Sequence, residues 1–224
     1  MAIKYKLAVD ASLKLLLEPF DPLETGKVID AFADSWLLAR LHARMVEGLP
    51  PEQVEKLRTL TLTPLQDERL LAMPENSFGH RYVTYMHGRG YALNIKHDIY
   101  PPVDEVFARN WFLQRMARVH DMLHLLLGFG VDPPGEAAMF LFHIRNFREP
   151  FGAMAMAILP FILRRHGQVR KTALELQRSW RLASAAENIF VTPIEEMLEE
   201  ELGEVRHRLG IPPPLTRDVF ASRR

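Results

Sequence analysis

The chain has 224 residues, 48% of them hydrophobic, enough for one large domain with a substantial core. Its 28 Lys and Arg balance its 28 Asp and Glu, so no sequence-wide field draws it to nucleic acid, and it carries no zinc-finger, RNP or basic-region pattern. It has no cysteine, which excludes disulfides, thiolate metal sites and a cysteine nucleophile, and leaves His, Asp and Glu as the only strong metal ligands.

The opening, MAIKYKLAVDASLKLLLEPF, lacks the unbroken apolar core of a signal peptide and carries Asp10, which transit peptides avoid. The expectation is a cytoplasmic chain from a prokaryote. Apolar residues recur at helical spacing throughout, and strand-like alternation is scarce, so the fold class is all-α, one domain formed as a helical bundle without a linker. A helix is predicted over 25–46, with Thr25 as N-cap and Val28, Ile29, Phe32, Trp36, Leu37 and Ala39 on its apolar face. Pro51 suits the first turn of a helix over 51–60. A further helix over 78–86 closes at Gly88 and Gly90, and NIKHDIYPP (94–102) reads as a connection. Helices follow over 103–127, 136–147, 150–165, 168–185 and 193–208, the last capped by Thr192 with Pro193 in first position. The apolar run 150–163 is too short to span a bilayer, which takes about 20 residues. Arg145, Arg148, Arg164, Arg165 and Arg170 flank it and predict peripheral contact with an anionic membrane surface.

The chemistry concentrates in HDMLHLLLGFGVDPPGE, residues 120–136. With His120 at zero on a helical wheel, His124 falls at about 40° and Asp121 at about 100°, so one ion can be reached by all three. Arg115 and Arg118 fall on the other side and are expected in solvent. The helix is apolar on every side after Leu123, where an unpaired imidazole is costly. Pro133, Pro134 and Gly135 form a stiff turn that can return Glu136 to the end of the preceding helix. Two imidazoles and two carboxylates, His120, Asp121, His124 and Glu136, make an N2O2 set for Zn²⁺, which also accepts Fe²⁺, Mn²⁺ or, less readily, Mg²⁺. An isolated HDxxH is a weak signal, since a histidine on an apolar stripe is most often a core residue bonded to a carbonyl. The metalloprotease pattern HExxH is absent.

HDxxH, eleven residues, then Glu, with glycines at 128 and 135, resembles the Coq4 family of ubiquinone biosynthesis. MPENSFGHRYVTYMHGRGY (73–91) is similar to the family's LPExSLGxxYxxFMxxxG block, WFLQRMARVHD to its RYREVHD run, and the tail FVTPIEEMLEEELGEVRHRLGI to its stretch ending LRxxLGI. The resemblance covers roughly 70–211. It implies an all-helical homodimer, peripheral on the membrane face, working with other quinone-biosynthesis enzymes, with zinc at His120, Asp121, His124 and Glu136. The family is described both as an organiser of ubiquinone synthesis and as an enzyme replacing the ring C1 carboxyl by hydroxyl. FREPF (147–151) departs from the small-residue turn usual in the family.

Met139, Phe140, Met154, Met156 and Phe161 are flexible or flat side chains suited to an isoprenoid chain or a prenylated quinone precursor, and equally to an ordinary core. His143, seven residues after Glu136, is placed beside the metal or the lipid, and EEMLEEELGE reads as a solvated face. Two other functions compete with a metal-dependent decarboxylase. One is a non-catalytic lipid-binding scaffold. The other is an HD-type phosphohydrolase, suggested by the second pair His97–Asp98.

Overall fold

A computed structural model describes residues 3–17, 22–93, 110–148, 152, 156–157, 159–160, 163–164 and 167–212. These residues are helical, without a named strand. The helices are α1 (Tyr5–Leu17), α2 (Pro22–Ala33), α3 (Trp36–Met45), α4 (Pro51–Leu62), α5 (Asp67–Leu71), α6 (Phe78–His87), α7 (Trp111–Leu123), α8 (Pro133–Phe142), α9 (Val169–Ala185) and α10 (Leu202–Arg208). α7 and α8 each run on into a π turn, His124–Gly128 and His143–Phe147. The pair 94–102 with His97 and Asp98, the start of the 103–127 helix, and Met154 and Phe161 lie outside the described residues.

Sequence and structure differ at three places, each with a local cause. The 25–46 helix is two helices. Ser35 breaks it because its side chain accepts from the Leu38 N–H at 3.2 Å and starts α3 afresh, while Thr25 lies inside α2 rather than capping it. The 193–208 helix is also divided, into 3₁₀ turns at Ile189–Val191 and Ile194–Met197 followed by α10. Here the start of α6 draws on the chain: the Phe78 and Gly79 N–H groups donate to Glu200 O and Leu198 O, both at 2.7 Å, so those carbonyls cannot serve a continuous helix. Thr192 caps nothing with its side chain, which donates back to Asn188 O at 2.9 Å. Finally, α8 begins at Pro133, three residues before the expected start, since both prolines fit a first helical turn.

α7 forms the axis of the core. Phe112, Val119, Met122 and Leu123 are buried on it, α4 packs along one side, and Leu125, Leu126 and Leu127 carry the burial through the π turn. α8 lies against α9, where Ser179 donates to Ala138 O at 2.6 Å, and α6 closes over the π turn with Phe78 and Tyr82 fully buried. Each such apolar side chain contributes about 1.5–3 kcal/mol by leaving water.

The solvent expectation for Arg115 and Arg118 is overturned. Arg115 is wholly buried, its Nε donating to Phe190 O at 3.0 Å while its terminal nitrogens bind Glu195 and Thr192 O. Arg118 donates to Leu60 O at 2.7 Å and closes the C-terminus of α4. Glu195, expected in a solvated run, is buried with them because it neutralises Arg115. Among the described residues no single helix is long and apolar enough to cross a membrane, and Trp111–Gly128 and Pro133–Phe147 meet at a bend of 109°.

Candidate metal centre

The bend is built by backbone rather than side chains. Gly128 ends the π turn at φ +70°, a left-handed conformation that favours glycine. Beyond it the chain folds back so tightly that a Cβ on Gly135 would lie 1.9 Å from Gly130 O. Only a glycine permits that crossing, and it delivers Glu136 to the first turn of α8, where the helix dipole favours a carboxylate. Arg178 of α9 seals the turn. It donates to Leu127 O, reaches Gly128 O at 3.4 Å, and stacks its guanidinium 4.8 Å from the Phe129 ring centre.

Three of the four expected ligands converge. His120 Nε2 and His124 Nε2 stand 3.1 Å apart, His124 Nε2 lies 3.3 Å from Glu136 Oε1, and His120 Nε2 lies 3.5 Å from Glu136 Oε2. Ligand atoms on one tetrahedral ion at about 2.0–2.1 Å stand about 3.3–3.4 Å apart, so this triangle has the size of a metal site. The His124 side chain is buried at 4% exposure, but that of His120 keeps 23%, leaving an approach from solvent. His124 Nδ1 lies 3.2 Å from Phe129 O, which can only accept. The proton is therefore assigned to Nδ1, and Nε2 presents a lone pair toward His120 Nε2 and Glu136. Such a cluster is closed by a proton on His120 Nε2 or by a cation in its place.

The electrostatics carry the same imprint. Burial works against charge on His120, but the hydrogen bond and charge of Glu136, with Asp121 behind it, raise its pKa above the ordinary imidazole value. Glu136 is opposed by burial too, yet the two imidazoles hold its carboxyl well below the usual carboxylate range. Asp121 is not among the three converging ligands. Burial, with Glu136 adding repulsion, pushes its pKa up despite the two histidines. Its place on the wheel was legible, but a residue directly beside His120 is turned further from the ion than one a full turn away.

His143 is buried at the same site, its ring 5.3 Å from that of His120, and Phe140 stands half-buried beside both. Met139 is a fully buried core residue, and Met156 is half-buried. Tyr82 and Tyr85 were not singled out by sequence reasoning, although both lie in the 73–91 block. Burial pushes the Tyr85 hydroxyl up to about 12, with Glu136 and Asp121 adding to the rise, and burial and Asp121 push Tyr82 the same way. The tyrosines' spacing of three residues on one helix face is the signal that could have found them.

The family model described as Coenzyme Q (ubiquinone) biosynthesis protein Coq4 matches residues 2–214. A mitochondrial ubiquinone biosynthesis protein COQ4 of Paracoccidioides brasiliensis (strain Pb18) is 26% identical over 217 residues, covering 95% of this chain and 74% of that protein. The COQ4 protein of Podospora anserina is 26% identical over 224 residues, covering 94% of this chain and 69% of its own length. The crystal structure of a Nostoc punctiforme PCC 73102 protein assigned to ubiquinone biosynthesis superposes with a TM-score of 0.71 over 95% of this chain and 100% of that one. At 16% identity that likeness shows the shared all-helical fold.

Proposed function

This chain is a member of the Coq4 family of ubiquinone biosynthesis proteins, and from that premise we propose that it is a metal-dependent protein acting on a prenylated aromatic precursor. The observation that carries the reading is the triangle of His120, His124 and Glu136, whose ligand atoms all lie within 4.8 Å of one another. These residues fit a divalent ion, zinc first by their donor types and spacing, with iron, manganese or magnesium as substitutes. When bound, such an ion supplies a Lewis acid that polarises an oxygen of the guest.

The chain's own residues do the rest. Phe129 O fixes the His124 tautomer, Arg178 holds the turn that carries Phe129, and Asp121 adds negative charge behind the imidazoles. Phe140, half-buried with its ring 6.4 Å from that of His120, offers a flat apolar surface on which the ring of a prenylated benzoate can lie. The reaction is replacement of the ring C1 carboxyl by hydroxyl: the carboxyl leaves as CO2, a hydroxyl from water enters the ring, and the two electrons and two protons released reduce dissolved O2 to H2O2. In this reading the protein works as a homodimer at a membrane surface where the precursor resides. Half-exposed Trp180, with Arg145 4.0 Å above its ring, suits the headgroup level.

The test is metal analysis, then turnover. The purified protein is expected to carry one divalent ion per chain and to convert a prenylated 4-hydroxybenzoate derivative. Glu136→Gln, folded by circular dichroism, should lose the ion and the turnover together. Metal retained by Glu136→Gln removes the triad from the reading; metal lost with ubiquinone synthesis intact in cells makes the protein a scaffold.

A further inference from the structure

His143 opens the second π turn as His124 opens the first, and its ring packs against that of His120, as the His124 ring does. π turns occur mostly where a helix re-aims a side chain for function. The His143 ring is clamped: it stacks on Phe147 with ring centres 4.7 Å apart and 27° between planes, and meets His120 edge-on at 5.3 Å. Phe140 stands edge-on at 6.5 Å. Held this way, the imidazole is 4% exposed, and its Nε2 has no hydrogen-bond partner among the described residues. A buried nitrogen without a partner is costly, and such groups in native structures mark a bound water, an ion or a catalytic role.

We propose that His143 is a fourth side chain of the metal site, its Nε2 hydrogen-bonding the oxygen, from water or guest, that occupies the ion's remaining coordination position. This deepens the metal reading above and rests on it. The three ligands leave a tetrahedral ion one open position. The His143 ring lies 5.3 Å from that of His120 and 6.5 Å from that of half-buried Phe140, so an oxygen held between the ion and Phe140 lies within its reach. It is a positioning residue: it fixes where the exchangeable oxygen sits and does not hold the ion itself.

Two substitutions separate this role from packing. His143→Phe keeps the stack on Phe147 and removes the nitrogen. His143→Gln removes the ring and returns an amide close to the Nε2 position. The full-length protein is stripped with a chelator, and zinc affinity is measured by competition with a chromophoric chelator. The visible spectrum of the Co²⁺ form reports the coordination sphere, and apo thermal melts report the fold. Native protein should bind one Zn²⁺ per chain. His143→Phe should melt normally yet bind zinc about 10–100-fold more weakly, with a shifted Co²⁺ spectrum, as expected for loss of an outer-sphere partner. His143→Gln should stay within about threefold of native and keep the Co²⁺ spectrum. Native affinity and spectrum in His143→Phe, or damage confined to His143→Gln, overturns the inference and leaves the metal site standing. Failure of the native protein to bind zinc or cobalt overturns both.

Discussion

At Arg115, helix α7 buries a guanidinium whose nitrogens are met by Phe190 O, Thr192 O and Glu195, whereas further along, at His120 and His124, it buries side chains that converge on Glu136 with their acceptors facing one another. Both clusters are polar, both are largely shut off from water, and both tie α7 to later parts of the chain. They differ in what completes them. In the Arg115 cluster every guanidinium nitrogen has an acceptor in the protein, and those bonds tie α7 to the 3₁₀ turns after α9. The histidine cluster is closed within the chain by a proton on His120, which a divalent ion can replace, and His143 Nε2 beside it has no partner among the described residues. A buried polar group is therefore informative less by its burial than by whether the chain supplies its partner.

Breaking the first cluster should have the largest effect. Arg115→Met leaves the Glu195 carboxylate buried without its partner, and removal of one member of a buried pair costs about 3–5 kcal/mol. Urea unfolding should show that loss in Arg115→Met and in Glu195→Ala. The metal-free Glu136→Gln protein should unfold within about 1 kcal/mol of native, because a histidine left without its carboxylate sheds its proton and an arginine cannot. Equal destabilisation by Glu136→Gln would erase the distinction between the clusters.

The next effect tests how the second cluster is assembled. Gly135→Ala places a methyl within 1.9 Å of Gly130 O, so the start of α8 must move away from α7. Overpacking of this kind costs about 1–3 kcal/mol, less than the loss of the buried pair. Its zinc affinity should fall far more than its stability, since Glu136 rides on the displaced turn. Calorimetric titration checks this; unchanged zinc binding would mean the loop crossing does not set the ligand geometry.

What the sequence could disclose follows the same division. Helix class, Pro51 at a helix start, and the meeting of His120, His124 and Glu136 were legible because each depends on spacing along one or two neighbouring elements. Arg115 was misread because the wheel sorted it by position, and its acceptors at Phe190 and Thr192 lie over seventy residues away in sequence. The divided helix after Thr192 has the same origin: its carbonyls are claimed by α6, a demand that no local propensity records. Asp121 was grouped with the ligands because adjacency in sequence is not convergence in space.

The smallest effect is the most specific to the second cluster. In the metal-free protein, the His120 pKa is raised above its ordinary value of 6.5, so its stabilising contribution is fully present below that value and fades as pH climbs through the folded-state value. Glu136 is depressed below 4.5, so its contribution is present above that value and is lost only as pH falls through the folded-state value. The pair therefore supports the metal-free fold most between 4.5 and 6.5 and less on the alkaline side. Zinc reverses the alkaline trend, because it takes the place of the His120 proton and binds more tightly as that proton leaves. The melting temperatures of zinc-loaded and chelated protein should thus move apart between roughly pH 6 and roughly pH 8. In Arg115→Met both melts should drop together while the widening persists, since that cluster shares no proton with the ion. A gap that stays constant with pH would mean that His120 does not give up its proton to the metal, and the two clusters would then be alike in being closed by the protein alone.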